Sequence, residues 1–435
     1  MKVLVITSSP LSEDNGFGLT FSNIFADIPD MQYANIYCKP GNLENSFDMV
    51  GFQMTESLLI KNLKNKSKPT GRIVENRKSD AIQMSESEQN TFDKARTLRW
   101  QVLFWARELV WKIGRWKSPE LKKFIDDFNP DVIFCPIYYP TYVNNITLFA
   151  KKCTNVPVVG YISDDNYTLR QFKLSPLYWI DRLFKRRKVK ETVNSCEILY
   201  VISDIQKKEY EKVFKPECKI LTKCADFPER KFNQTPNTGE IKIMYGGNIG
   251  IGRWKSLQLL AEAVKVLKSE GYNVRFDIYS GTPRTKAMLK ALNIEGCCCL
   301  HDPIKYSEII KLQNEADILV HAEGLSLRSR LAVHQSFSTK IVDFFEMGKC
   351  IFAIGTDDVA SISHLKKNDA AVVAGSKEEA YQNLKSLLQE PQKIIEYGQK
   401  AYNCGAKFHS KEKMQGMIIN DLKNVVECSN ENIAD

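Results

Sequence analysis

Ser338, Thr339, Lys340 and Asp343 fall within one short stretch, just ahead of Gly348 and the apolar run Cys350–Ile354. Ser338 is a helix-starting residue type, so free backbone N–H groups of a first helical turn are expected to face outward there. Such a terminus attracts anions, phosphate above all. Lys340 adds a full positive charge. Asp343, three residues on, falls on the same helical face and offers two acceptor oxygens to hydroxyl groups. Cation and dipole for a diphosphate, carboxylate for sugar or ribose hydroxyls: this is the chemistry of a nucleotide-sugar site. A plain capped helix with an incidental surface Lys and Asp satisfies the same pattern, because capping signatures are common.

Other residues suit the same chemistry. Asn15-Gly16-Phe17-Gly18 and Gly246-Gly247-Asn248-Ile249-Gly250-Ile251-Gly252-Arg253-Trp254-Lys255 are glycine loops able to approach an anion. Neither is a dinucleotide fingerprint, since Phe21 and Lys255 stand where the third glycine would be, and no Walker A loop occurs. Arg253 can fork onto a diphosphate and Lys255 can supply a point charge; a solvated basic loop is the alternative. The apolar strand Ile318–His321 runs into Ala322-Glu323-Gly324, which places a carboxylate just past a core strand. Glu323 is there either a sugar-hydroxyl ligand or a solvated loop acid, and His321 alone reads as a satisfied, partly buried histidine. Asp164 and Asp165 follow the strand ending at Ile162. Paired acids suit divalent metal or general-base work, and a helix cap explains one of them equally well.

These residues need a scaffold of alternating strands and helices. At 435 residues the chain fits two domains of roughly 200 residues each. The 43% hydrophobic and 26% charged content is that of an ordinary globular protein. Lys2–Thr7 reads as a strand rather than a signal peptide. No apolar run reaches the length of a membrane span. The 12 cysteines form neither a disulfide framework nor CxxC metal pairs, so reduced thiols in the cytoplasm are expected. The net charge of +9 calls for an anionic partner. Nucleic acid is disfavoured, since no interleaved aromatic-basic strand and no known module occurs. An anionic membrane face or an anionic substrate remains.

Strands are expected at Lys2–Thr7, Ala34–Cys38, Asp131–Cys135, Val156–Ile162 and Ile198–Ile202, with a polar, irregular stretch over 42–93. Phe227–Gly239 reads as a linker. The pattern then restarts: strands at Ile241–Tyr245, Val274–Tyr279 and Ile318–His321, helices at Leu257–Glu270, Tyr306–Asn314, Ser376–Gln389, Gln392–Tyr402 and Ser410–Val426. Alternation of this kind predicts parallel sheets flanked by helices, with ligands outside the carboxyl ends of the strands. Lys94–Trp116 reads as a long helix rich in Trp, Arg and Lys. It fits a membrane interface or a core helix, with Phe104 and Trp111 expected to pack inward. The run Lys185–Lys190 reads as a solvated face that would be drawn to a lipid surface.

Taken together, these segments resemble a GT-B glycosyltransferase, similar to glycosyltransferase family 4 and its bacterial surface-polysaccharide relatives. Tyr245-Gly246-Gly247-Asn248 with Arg253 and Lys255 resembles the segment whose Arg and Lys hold the donor diphosphate. Ala316–His321 resembles the strand before the E-x(7)-E motif. Asp343 stands at the motif's second acid, the ribose ligand, and Ser338-Thr339-Lys340 resembles the STK segment of polysaccharide-type relatives. Eight residues before Asp343 stands Gln335 rather than Glu. Glu323-Gly324-Leu325 resembles the family's Glu-Gly-Phe, which implies Glu323 as the first acid and Ser326–His334 as an insertion. Pro157–Asp164 resembles a segment where relatives carry His-Asp, with Ser163 at the His position. Gly16 and Gly18 resemble the loop near the donor phosphates and acceptor.

The resemblance implies an α/β fold of two Rossmann-like domains facing across a cleft: an acceptor domain at 1–226 and a nucleotide-sugar domain at 240–405. A C-terminal helix at about 410–430 would pack back on the first. The implied reaction moves a hexose-type unit from a nucleoside diphosphate sugar to a hydroxyl of a glycan or lipid-linked acceptor, with retention. Arg253, Lys255 and Lys340 would meet the leaving diphosphate, Asp343 the ribose and Glu323 the sugar, with Asp164 in a catalytic role. No cofactor and no essential metal are expected. The implied location is cytoplasmic, peripheral on the inner face of the membrane. Two other classes fit the irregular acid motif: a non-catalytic nucleotide-sugar-binding partner of a biosynthetic complex, and a nucleotide-sugar epimerase of the same fold.

Overall fold

A computed structural model describes residues 1–12, 16–76, 101–232 and 235–434. Its first half holds strands β1 (Lys2–Thr7), β2 (Gln32–Tyr37), β3 (Met49–Gln53), β4 (Arg72–Glu75), β5 (Val132–Pro136), β6 (Val158–Ile162), β7 (Ile198–Val201) and β8 (Glu217–Ile220). The helices among them are α1 (Gly16–Phe25), α2 (Glu56–Lys64), α3 (Gln101–Ile113), α4 (Pro119–Phe128), α5 (Thr141–Thr154), α6 (Pro176–Val193) and α7 (Asp204–Tyr210). The sheet order is β4-β3-β2-β1-β5-β6-β7-β8, and only the edge pair β3–β4 is antiparallel. The central strands are apolar along their whole length and buried on both faces, as a helix-covered parallel sheet requires.

The second half repeats the plan with β9 (Ile241–Gly246), β10 (Val274–Tyr279), β11 (Cys298–His301), β12 (Ile318–Ala322), β13 (Cys350–Ile354) and β14 (Val372–Ala374). Its helices are α8 (Arg253–Ser269), α9 (Lys286–Leu292), α10 (Tyr306–Glu315), α11 (Leu327–Val333), α12 (Thr339–Met347), α13 (Ala360–Lys367), α14 (Lys377–Gln389), α15 (Gln392–Phe408) and α16 (Lys411–Ala434). The all-parallel order is β11-β10-β9-β12-β13-β14. The winding direction reverses between β1 and β5 in the first sheet and between β9 and β12 in the second. Those two points are where open sheets bind ligands.

The chain crosses back at the break between α15 and α16. Lys411 N–H donates to the Ala225 carbonyl at 2.9 Å. Along α16, Gln415 Nε2 donates to the Ile24 and Ala26 carbonyls at 3.0 and 2.8 Å, and Asp421 accepts from Tyr200 at 2.8 Å and Lys219 at 2.7 Å. The last helix therefore lies on the first sheet. One apolar cluster runs through both halves, from Ile202 and Cys224 to Phe337, Ile341 and Phe345.

Several local expectations change. Within the stretch read as irregular, β3, α2 and β4 form; β3 is short, and at Gly51 a Cβ would stand 2.5 Å from the Leu43 side chain, so tight packing rather than propensity selects the residue. Helix α8 starts at Arg253, not near Leu257, because Gly252 takes a left-handed φ of 81° that turns the chain into the helix. Residues 94–100 of the predicted Trp-rich helix lie outside the described residues. Within α3, Trp111 is buried but Phe104 is 42% exposed, against the inward packing expected of it. Lys185, read as solvated, is buried beside Asp181 at 3.1 Å.

Candidate donor-binding cleft

Strands β9 and β12 deliver their carboxyl ends side by side, and the charged residues gather there. Glu323 follows β12 directly and is only 3% exposed. Its N–H donates to the Ile354 carbonyl at 2.8 Å and its own carbonyl accepts from Ser256 Oγ at 2.6 Å, so its backbone is fixed on both sides. Its carboxylate takes a forked pair from Arg253, Nε at 3.0 Å and Nη2 at 3.3 Å. His321 Nε2 lies 3.5 Å from Glu323 Oε1 but finds no hydrogen-bond partner among the described residues. Burial pushes the His321 pKa down to about 4, with Arg253 and Lys340 adding to the effect and Glu323 opposing it. The ring is therefore neutral at pH 7.

Lys340 in the first turn of α12 reaches across to the end of β9, where Nζ donates to the Gly246 carbonyl at 2.8 Å. The residue keeps an exposed flank, yet its ammonium sits among cleft atoms, and that surround, then Arg253, lowers its pKa. Ser338 stands at the helix N-cap without a side-chain cap bond, and its N–H donates to Ser361 Oγ at 3.1 Å. The first turn is thus not closed by its own cap, and Thr339 beside it lines the cleft. Asp343, one turn on, forms an ion pair with Lys223, a residue just past β8 of the other sheet.

Facing this group is a cavity of about 460 Å³ at the β1–β5 reversal, lined by Gly16, Tyr139, Asp164, Asn166, Lys223 and Thr339 among others. The two acids after β6 divide in role. Asp165 is spent on its own loop: it accepts from the Tyr167 and Thr168 N–H groups at 3.1 and 2.7 Å and pairs with buried Arg182 at 3.1 Å. Asp164 opens onto the cavity. The protein around its carboxyl, and next the Asp165 charge, raise its pKa. Among the described residues no group of three or more His, Cys, Asp or Glu is arranged to hold a metal.

Lys340, Arg253 and Glu323 come together, with Gly247 against Lys340; Thr339, Gly16 and Asp164 line the cavity, and Asp343 is joined to it by its ion pair with Lys223, which lines it. Other predicted residues do not join them. Lys255 is exposed, 5.6 Å from the Trp254 ring centroid, because two residues along a helix is a rotation of about 200° away from Arg253. Asn248 spends its Oδ1 on Gly250 N–H at 2.6 Å and Thr282 Oγ1 at 3.2 Å, shaping its own loop. Gly18 is buried against the chain, where a Cβ would stand 2.0 Å from the Ser12 carbonyl oxygen; it serves packing. Gln335 is buried away from Arg253: its Nε2 donates to Glu209 at 2.6 Å and its carbonyl accepts from Ser203 Oγ at 2.7 Å. It ties the two halves together, and the segment 326–334 before it folds as α11. Lys223 went unread, since nothing in Leu221-Thr222-Lys223-Cys224 marks it as a cleft residue.

No family model and no curated protein sequence matches the chain. Solved structures align over nearly its whole length. Anabaena HepE in complex with UDP superposes with a TM-score of 0.61 at 13% identity, covering 98% of this chain and 100% of that one. Sucrose-phosphate synthase from Thermosynechococcus elongatus gives 0.61 at 9% identity, with coverage of 98% and 100%. The E. coli trehalose-6-phosphate protein bound with UDP-2-fluoro glucose gives 0.58 at 10% identity, with coverage of 97% and 99%. The chain has the GT-B fold, two Rossmann-like α/β units facing across a cleft.

Proposed function

We propose that this chain is a glycosyltransferase that moves a sugar from a nucleoside diphosphate sugar to a hydroxyl acceptor held across the cleft. The observation that carries the reading is the Lys340–Gly247–Arg253–Glu323 group at the β9–β12 reversal, opposite the Asp164 cavity. Lys340, Arg253 and the open first turn of α12 supply positive charge where a leaving diphosphate would develop negative charge. Asp343 would take the ribose hydroxyls and Glu323 would set Arg253 and touch the donor sugar. Asp164, its pKa raised, would serve the acceptor hydroxyl. Fixed cations can meet the leaving group alone, so no metal is required. The neighbouring structures carry UDP, UDP-glucose and UDP-2-fluoro glucose, which makes a UDP-hexose the first donor to test.

The finer features belong to the same proposal: likeness to glycosyltransferase family 4, retention at the anomeric carbon, and a lipid-linked or polysaccharide acceptor of cell-surface glycan synthesis. So do two domains at 1–226 and 240–405 and a cytoplasmic place against the inner membrane face. A panel of UDP-, GDP- and CDP-sugars in thermal shift should show one donor raising the melting temperature by mass action. Arg253→Ala and Asp343→Ala should each weaken that shift. An undiminished shift in both sinks the site assignment, and donor binding without turnover on any acceptor leaves a binding protein.

A further inference from the structure

The first half of helix α6 is packed with charges inward and apolar residues outward, whereas further along Val189 and Val193 are buried and Arg187 and Lys190 exposed. Asp181, Arg182 and Lys185 are 5, 3 and 5% exposed, whereas Leu177, Ile180, Leu183 and Phe184 are 44, 47, 50 and 66% exposed. This is the reverse of an ordinary surface helix. A buried polar network fixes it. Asp181 accepts from Trp105 Nε1 and Tyr139 OH, both at 2.9 Å, and pairs with Lys185 at 3.1 Å. Arg182 Nε donates to the Thr168 carbonyl at 3.0 Å. Turning the helix to hide its leucines would strand three buried charges. Adjoining α3 continues the surface, with Leu103, Phe104, Leu109 and Ile113 at 43, 42, 55 and 56% exposed. Trp105 bridges the two helices beneath it, and a groove of about 1170 Å³ runs between them. Apolar side chains gathered this way on neighbouring helices mark an interaction site rather than scattered surface leucines.

The chemistry around that face names its occupant. Lys112, Arg115 and Lys117 at the end of α3, and Arg187 and Lys190 on α6, are exposed cations at its margin. An apolar centre with these cations at its margin, and Glu191 beside them already paired with Lys188, matches the boundary of an anionic bilayer. A second copy would instead bring the same cations together across a two-fold axis. We propose that α3 and α6 form a membrane-docking face that inserts leucine, isoleucine and phenylalanine side chains at the headgroup level of an anionic phospholipid bilayer. The face is coupled to the cleft: Tyr139 lines the cavity that Asp164 and Thr339 also line, and its hydroxyl bonds to Asp181 of α6. A membrane-borne acceptor would thus arrive at the acceptor side. The inference deepens the proposed transferase reading by naming the surface, and its test uses no donor.

The full-length protein should float with vesicles of phosphatidylcholine plus phosphatidylglycerol, bind phosphatidylcholine alone far less, and release as salt rises. Leu183→Ser with Phe184→Ser should lower anionic-vesicle partitioning by at least about tenfold while leaving the melting temperature unchanged, because both side chains are exposed. Lys112→Glu with Arg115→Glu should remove most of the salt-dependent part. The proposal is overturned if the unaltered protein fails to float with anionic vesicles, or if the serine pair floats as well as it does. It is equally overturned if sedimentation shows a dimer that the serine pair converts to monomer. Donor-induced thermal shift, measured without vesicles, reports the transferase reading separately.

Discussion

A Cβ placed on Gly247 would stand 1.9 Å from the Lys340 ammonium. The lysine can reach the Gly246 carbonyl only because the next residue has no side chain, and Gly247 also holds a φ of 152° that L residues rarely adopt. Glycine here is a condition for placing the cation. Gly247→Ala should cost about 2 kcal/mol in urea unfolding through backbone strain, and should displace Lys340. Donor affinity should fall about tenfold or more with it, since a charge-assisted hydrogen bond to the diphosphate is lost. Lys340→Met should weaken the donor similarly at little cost to stability. If donor binding survives both changes, Lys340 does not hold the diphosphate.

Glu323 is nearly sealed from solvent, so removing its charge leaves Arg253 without its partner. Glu323→Ala should destabilise the fold by about 3 kcal/mol. Arg253→Gln added to Glu323→Gln should cost less than the sum of the single changes, as expected for one coupled pair. Glu323 is also the group that opposes the depression of the His321 pKa, so its loss should push that pKa further below about 4. An NMR titration of His321 that moves upward in Glu323→Gln would contradict the geometry.

The frame of the second half was legible because its strands are short and rich in buried apolar residues. Ile318–His321 is apolar and buried on both faces, Ile241–Tyr245 nearly so, and Val274–Tyr279 alternates with Arg275 exposed; they form β12, β9 and β10 with little change of ends. The helix that carries Lys340 and Asp343 was legible from Ser338 at its start and Gly348 at its stop. What failed was everything set by contacts distant in sequence. Lys223 meets Asp343 across 120 residues, and Gln335 meets Glu209 across 126. Local pattern carries no signal for either. Lys255 failed for the opposite reason: it is close in sequence to Arg253 but turned away from it. Phe104 was expected inside because it is aromatic, but it lies with Leu103 and Leu109 on the exposed side of α3.

Buried His321 and His409 and half-buried His364 make stability depend on acid. Burial lowers the pKa of His321 and His364 to about 4 and of His409 to about 3. His364 and His409 face each other, Nε2 to Nε2, at 3.3 Å, and His409 Nδ1 meets Thr222 Oγ1 at 2.7 Å. An unfolded chain takes up these protons near pH 6.5 and the folded one does not, so the unfolded state binds more protons between about 6.5 and 4. Stability should therefore be flat above neutrality and fall as pH drops through that window. One such histidine should account for about 2 kcal/mol by pH 5. His409→Asn should shallow the slope in urea unfolding series. An unchanged slope would mean that the pair already protonates in the folded state.

Asp164 and Asp165 are adjacent and should behave as opposites. A carboxyl whose folded pKa is raised is less stable ionised in the fold than in the open chain, so Asp164→Asn should leave unfolding free energy unchanged or slightly higher at neutral pH. If Asp164 serves the acceptor hydroxyl, the same change should lower transfer about a hundredfold while the donor-induced thermal shift persists. Asp165→Ala removes the partner of Arg182, which is 3% exposed, and frees two loop N–H groups. It should cost about 3 kcal/mol, with loss of transfer following loss of the loop. Because Arg182 also anchors α6 to that loop, Asp165→Ala should weaken vesicle binding too, which Asp164→Asn should not. A stable Asp165→Ala beside a destabilised Asp164→Asn would exchange the two roles and move the acceptor-side acid by one residue.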